Sequence, residues 1–190
     1  SKPIRQEMFK KIVALLVNAK KEGKTIPFVT QHTIKEVDNL SRLKPNSKLK
    51  VSNVQVMLVE DNPVNQQVAI LMIEKYGCHV TPAGNGVEAI KLFKQQKFDL
   101  IFMDCQMPVM DGYEATRSIR TIEAQKNLSK TTIVAFTANA MKGDDEECKA
   151  AGMDDYVAKP VKPVDIEQIL LFWLPKEKIM PEERVANNVK

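Results

Sequence analysis

Residues 54–77 read VQVMLVEDNPVNQQVAILMIEKYG, and the order of features in that stretch decides the fold. A nearly continuous apolar run, VQVMLV (54–59), ends in the acidic pair Glu60-Asp61. Asn62 can cap a helix whose first position is Pro63, because the N–H that proline lacks would be unpaired there anyway. Val64, Val68, Leu71, Met72 and Lys75 follow at helical spacing. Gly77 then suits the left-handed residue just past a helix end.

The same alternation continues outward from this stretch. DLIFM (99–103) and TIVAF (132–136) are further short apolar runs, as strands read when helices cover both faces of a parallel sheet. Residues 79–83 and 155–158 are weaker strand candidates, nearer an edge. Asn85-Gly86 marks a turn before a helix over 87–95, with Ile90 and Phe93 pointing inward. Asp111-Gly112 opens a helix through Ile122, followed by a polar loop to Thr131. Residues 141–151 end at Gly152 in the manner of a helix, and 164–173 end before Pro175. Five strands and five helices alternating over about 120 residues predict a doubly wound α/β sheet. Ligands bind such sheets outside the carboxyl ends of the strands, where the chain reverses its direction of travel.

Composition excludes several classes. The 190 residues suffice for one buried domain plus an appendage. Hydrophobic residues at 44% and charged residues at 27% describe a globular chain. The longest apolar runs, such as 166–174, are too short to span a bilayer, and the polar, basic N-terminus predicts no secretory leader. Net charge is +4, but the lysines are scattered and the acids clustered. That favours a solvated surface over a nucleic-acid footprint. Cys78, Cys105 and Cys148 lack metal-ligand spacing and read as reduced thiols in a cytosolic compartment.

The chemistry is concentrated at strand ends. Glu60-Asp61 follows the first apolar run and Asp104 the third, which are neighbours in a doubly wound sheet, so three carboxylates converge. Singly, each reads as a helix cap or loop acid. Together they are costly unless a cation neutralises them, and an oxygen-only ligand set favours Mg²⁺, with Mn²⁺ as an alternative. Thr137 follows the fourth run and Lys159 the fifth, before Pro160. A hydroxyl, an ammonium and a divalent cation around a carboxylate suit a phosphoryl group in transfer, with the aspartate as nucleophile.

The segments VMLVEDNPVNQQVA (56–69), DLIFMDCQMPVMDGYEATRSIR (99–120), IVAFTANAM (133–141) and CKAAGMDDYVAKPV (148–161) resemble response-regulator receiver domains, in particular those fused to hybrid histidine kinases. The resemblance implies a flavodoxin-like parallel sheet of order 2-1-3-4-5 and makes Asp104 the phosphoacceptor. Asp61 and Asp104 would ligate the metal directly, Glu60 through a bound water, and Gln106 through its backbone carbonyl. Thr137, Ala138 and Lys159 would surround the phosphoryl group, and the Lys159–Pro160 bond would be cis. Tyr156 matches the family's switch aromatic, which turns inward as Thr137 is drawn to the phosphoryl group. The implied partners are the phosphohistidine of a histidine kinase and a histidine phosphotransfer domain. The implied place is the cytoplasm, with a parent chain anchored in the inner membrane by segments outside this one.

The flanks add context. Residues 1–5 (SKPIR) echo 158–162 (AKPVK), and an amphipathic helix follows in both places. Residues 1–20 therefore read as the last helix of a preceding receiver-like domain, 21–53 as a linker, 54–175 as the receiver and 176–190 as a charged tail. His32 lacks the glycine and helical bundle of a phosphotransfer domain and reads as a linker residue; His79 reads as structural. Without ATP-binding motifs or a helix-turn-helix, neither kinase activity from ATP nor DNA binding is expected of these residues. Three rivals remain. An aspartate-nucleophile phosphatase would need a second aspartate where Gln106 stands. A flavodoxin-like FMN domain would need a loop less acidic than EDNPVN. A scaffold receiver would leave every required side chain unused.

Overall fold

The apolar runs pair side by side, all in parallel, in the computed structural model, which describes residues 49–137 and 144–180. Five strands alternate with five helices: β1 (Gln55–Val59), α1 (Pro63–Glu74), β2 (His79–Ala83), α2 (Gly86–Gln95), β3 (Leu100–Asp104), α3 (Gly112–Gln125), β4 (Thr132–Thr137), α4 (Asp144–Ala151), β5 (Asp155–Ala158) and α5 (Pro163–Trp173). The order across the sheet is β2-β1-β3-β4-β5, as the resemblance to receiver domains implies. The expected helix over 1–20, His32, Ala138, Asn139, the start of the 141–151 helix and residues 181–190 of the tail lie outside the described residues.

Side-chain alternation divides the core in two. Met57, Val59, Ile101, Met103, Ile133 and Ala135 point to one face, where Phe93 of α2, Ile119 of α3 and Cys148 of α4 join them. Alternation turns Val56, Leu58, Leu100, Phe102, Val134 and Phe136 to the other face, all of them buried. There Phe102 and Phe136 stack with centroids 4.8 Å apart. The helices α1 and α5 pack on each other, and the buried Tyr76 ties them by donating to Pro163 O at 2.9 Å. Burying each such Leu, Ile or Phe contributes roughly 1.5–3 kcal/mol, so the central strands β1, β3 and β4 hold the sheet. The weaker apolar pattern of β2 and β5 has its reason: each is an edge strand with exposed positions.

Local chemistry sets the helix starts. Asn62 Oδ1 accepts from Val64 N at 2.9 Å and Asn65 N at 3.2 Å ahead of Pro63. Asn85 and Asp111 cap α2 and α3 by accepting from Glu88 N at 2.9 Å and Glu114 N at 2.7 Å. The helix α3 runs to Gln125, three residues beyond the Ile122 expected, because Glu123 has partners inside the fold. Its carboxylate is buried and accepts from Arg120 Nη1 and Thr131 N, each at 2.7 Å. A polar sequence there does not mean a loop.

The domain also reaches further than its periodic core suggests. Val51, read as linker, is 4% exposed and forms an antiparallel bridge with Ile179, read as tail. Val51 N donates to Tyr76 O, Ser52 N to Lys178 O and Met180 N to Lys50 O. Lys178 Nζ adds an ion pair with Asp99 at 2.6 Å. Gly77 completes the seam: its φ is +96°, and a Cβ there would sit 2.7 Å from Val51 O. Residues 50–52 and 176–180 thus belong to the folded unit, held by backbone pairing that leaves no periodic trace.

The three cysteines are buried and none is in a disulfide. Burial pushes the thiols of Cys78 and Cys105 up to about 12, which keeps them protonated and unreactive. Among the described residues no helix is long and apolar enough to cross a membrane.

Candidate functional site

The register of the two central strands brings the acids together. Val59 of β1 pairs with Met103 of β3, so the residues that follow, Glu60 and Asp104, emerge side by side at the carboxyl end of the sheet. One carboxylate oxygen from each of Glu60, Asp61 and Asp104 lies within 4.8 Å of the others. Glu60 and Asp104 are 3% and 5% exposed, whereas Asp61 is open to solvent.

The two edge-side strands deliver the remaining groups. Thr137 ends β4 beside Ala158 of β5, and Lys159 N donates to Thr137 O at 2.7 Å. Thr137 is buried. The Lys159–Pro160 peptide is cis. Lys159 reaches back across the rim, its Nζ 2.7 Å from both Glu60 Oε2 and Asp104 Oδ2. The backbone amide of Gln106 donates to Asp104 Oδ1 at 3.2 Å. Tyr156 stands opposite Ala135 on the edge strand and is 42% exposed. Of the residues singled out from sequence, Glu60, Asp61, Asp104, Thr137 and Lys159 come together on one rim. Ala138 lies outside the described residues.

Electrostatics follow from this crowding. Burial pushes the Glu60 carboxyl above its ordinary value; Lys159 opposes that rise and the charge of Asp104 adds to it. Burial alone would lower Lys159, but its hydrogen bonds and charge contacts with Asp104 and Glu60 raise it overall. Among the described residues one ammonium, Lys159, pairs with Glu60 and Asp104, while Asp61 faces solvent, so the carboxylates of the rim outnumber its cation. The donor set is oxygen-only, hard and crowded, and that is the chemistry a small divalent cation answers.

Several supporting residues carried no signal of their own in the sequence. Asn65 Nδ2 donates to Glu60 Oε1 at 3.1 Å and Asn62 N to the same oxygen at 3.3 Å. Gln66 Nε2 bridges Glu60 O and Ala83 O at 2.9 Å each, fastening the β1 and β2 loops. The helical stretch NPVNQQ places these amides on the first turn of α1, which could have suggested them. Gly112 permits the start of α3 to lie against β3, since a Cβ there would fall 2.0 Å from Asp104 O.

Residues 56–171 match the response regulator receiver domain family. The chain is 40% identical over 119 residues to the sensor protein GacS of Pseudomonas syringae pv. syringae, a match covering 63% of this chain and 13% of that protein. It is 35% identical over 164 residues to the histidine-protein kinase BarA of Escherichia coli strain K12, covering 86% of this chain and 17% of BarA. The chain therefore spans only a small part of the length of these curated relatives. Among solved structures, the receiver domain of sensor histidine kinase PA1611 from Pseudomonas aeruginosa, with magnesium coordinated in its active-site cleft, superposes with TM-score 0.58 at 46% identity. That match covers 64% of this chain and 98% of that one. The receiver domain of Ssk1 in complex with the phosphotransfer protein Ypd1, from Saccharomyces cerevisiae, gives TM-score 0.62 at 32% identity, covering 65% and 90%.

Proposed function

Because the chain belongs to the response regulator receiver domain family, we propose that it accepts a phosphoryl group from phosphohistidine onto Asp104 and switches conformation in response. The observation that carries this reading is the Lys159 ammonium held 2.7 Å from both Asp104 and Glu60 on a rim of three carboxylates. A carboxylate oxygen of Asp104 attacks phosphorus, the new O–P bond forms, and the N–P bond of the donor breaks. The departing imidazole nitrogen keeps the electron pair. Lys159 offsets charge on the phosphoryl oxygens and Thr137 donates to one of them. The buried setting, 5% exposed at Asp104, limits access of water to the acyl phosphate.

The acidic rim also fits a divalent cation, Mg²⁺ or alternatively Mn²⁺, as the magnesium in the PA1611 receiver supports. Asp61, Asp104 and the Gln106 carbonyl would hold it, with Glu60 acting through water. It would supply neutralisation of the phosphoryl charge that one lysine cannot provide. Drawing Thr137 toward the phosphoryl group, and Tyr156 inward from its present exposure, would bias a two-state equilibrium on the β5 side of the domain.

The parent would be a hybrid histidine kinase of the inner membrane, with this domain in the cytoplasm. Residues 1–20 would close a preceding receiver-like domain. The donor would be the kinase's phosphohistidine or a phosphotransfer domain; the Ypd1–Ssk1 complex supports the latter class. By itself the domain acts on no substrate but its own phosphoryl group.

Incubation with Mg²⁺ and acetyl phosphate, followed by intact-mass measurement, tests the assignment. One phosphoryl adduct is expected on the wild-type chain and none on Asp104→Asn. An adduct that persists in Asp104→Asn rejects Asp104, and a folded wild-type chain that takes no label points instead to a scaffold. Deleting residues 1–20 should leave labelling intact.

A further inference from the structure

Glu60 is fixed at its backbone before its side chain comes into play. Its N–H donates to Ala83 O at 3.1 Å, and its carbonyl accepts from Gln66 Nε2 at 2.9 Å. The carboxylate is what remains adjustable, and protein donors hold that too. Oε1 accepts from Asn65 Nδ2 at 3.1 Å and from Asn62 N at 3.3 Å, while Oε2 accepts from Lys159 Nζ at 2.7 Å. A carboxylate oxygen offers two lone-pair directions. Among the described residues Oε1 is therefore filled, and Oε2 keeps one direction over, beside the ammonium.

Of these donors, Asn65 is the one the helix start does not require. It is exposed and is the third residue of α1. Helices favour Glu or Gln at that position, because the side chain turns back to the N–H of the cap residue and a carboxylate suits the positive end of the helix. Here Glu60 Oε1 already takes the N–H of Asn62, and Asn62 Oδ1 takes the amides of Val64 and Asn65. The Asn65 side chain is thus left to donate to Glu60, five residues back. A glutamate at this place would set a second carboxylate against that of Glu60; the neutral amide instead fills Oε1.

From this we infer that Asn65 is a positioning residue for the cation: by filling Oε1 it keeps Glu60 from ligating the ion directly, and so sets the preference of the rim for Mg²⁺ over Ca²⁺. The inference rests on the reading of the rim as a cation site for phosphoryl transfer. Mg²⁺ gives up its waters reluctantly and keeps several of them, whereas Ca²⁺ takes more oxygen ligands in looser geometry. Glu60 tied back by Asn65 can offer only Oε2. A cation on that oxygen would stand against the Lys159 ammonium; a metal-bound water donating to it would not. Released from Asn65, Oε1 becomes one more anionic ligand on the side away from Lys159, and that favours Ca²⁺. Partners that orient a carboxylate in this way change metal affinity about 10–100-fold.

The experiment titrates the full chain with Mg²⁺ and, separately, with Ca²⁺ by calorimetry, beside thermal melting without metal. Asn65→Ala removes the donor and keeps a good helix former, so its metal-free melting temperature should stay within about 3 °C of wild type. The wild type should bind Mg²⁺ more tightly than Ca²⁺. In Asn65→Ala the ratio of the Ca²⁺ to the Mg²⁺ dissociation constant should fall roughly tenfold, and Asn65→Gln, which restores an amide donor, should recover most of it. Labelling of Asn65→Ala by acetyl phosphate at saturating Mg²⁺ should remain within about twofold of wild type, with more Mg²⁺ needed to reach it. An unchanged ratio in Asn65→Ala, equal weakening of both ions, a fall that Asn65→Gln does not recover, or a wild type without preference for Mg²⁺ would each overturn the positioning role. A wild-type chain that binds neither ion would reject the cation reading of the rim and the inference with it. Mg²⁺ binding without acetyl phosphate labelling would reject Asp104 as acceptor and leave the role of Asn65 standing.

Discussion

Two clusters of charge sit at opposite ends of the same sheet, and they are balanced differently. At the amino ends of β4 and β5, Arg120 and Lys130 face Glu123 and Asp154, two cations to two carboxylates. Every group there has a protein partner. Arg120 donates to Glu123, Asp154, Gly152 O and Thr131 O, and Asp154 also accepts from Lys130 Nζ and Ile133 N. At the carboxyl ends, one ammonium, Lys159, pairs with Glu60 and Asp104, and the solvent-facing Asp61 adds a third carboxylate. The first cluster is closed and holds α3 to β4 and to the start of β5. The second keeps a surplus of negative charge among the described residues. Burial alone does not separate the two clusters; the imbalance of charge does.

The largest effect should come from breaking the closed cluster. Arg120→Ala strands the buried Glu123 and strips one partner from the half-buried Asp154, and urea unfolding should show a loss of about 3 kcal/mol or more. The folded protein should still take label from acetyl phosphate. A loss under about 1 kcal/mol would erase the contrast between the two ends.

Neutralising the open cluster should act in the opposite direction. Mg²⁺ at a hundredfold its dissociation constant should stabilise the wild type by about 2.7 kcal/mol. Asp61→Ala and Asp104→Asn should lose most of that gain, while Arg120→Ala keeps it. Equal stabilisation of all four proteins would place the ion elsewhere.

A smaller effect should appear with pH. The folded-state value of Glu60 lies above the ordinary 4.5, chiefly through burial. Its neutral form is thus favoured by folding. The resulting stability is fully present below pH 4.5 and is lost as pH rises through the folded value. Without metal, wild type should gain stability relative to Glu60→Gln as pH falls from 7 toward 4.5. A difference that stays flat, or runs the other way, would contradict the strain assigned to that carboxyl. The smallest change belongs to Lys130→Ala. That side chain is 58% exposed, and its loss should cost no more than about 0.5 kcal/mol.

The contrast also explains what the sequence could and could not disclose. Strands and helices were legible because their signals are local: apolar runs, the Asn62-Pro63 cap, the Gly77 stop. The acids of the rim were legible because β1 and β3 end in them, so topology alone made Glu60, Asp61 and Asp104 neighbours. The dual contact of Lys159 was not, since its partners lie 99 and 55 residues away and nothing short-range encodes the reach. Arg120 was invisible for the same reason, its bonds to Gly152 and Asp154 spanning 32 and 34 residues. Val109 was hidden in another way: a positive φ is normally announced by glycine or asparagine, and here packing of Met107 and Met110 imposes it on a valine.

The bridge between Val51 and Ile179 has a consequence for how such a domain can be wired. The chain comes in and goes out through one seam at the amino ends of the strands, the pole away from the acidic rim. A module with a single stalk can be spliced into a host without prising the host's flanking segments apart. A circular permutant joining residue 180 to residue 50, opened at a surface loop, would keep every strand neighbour it has now.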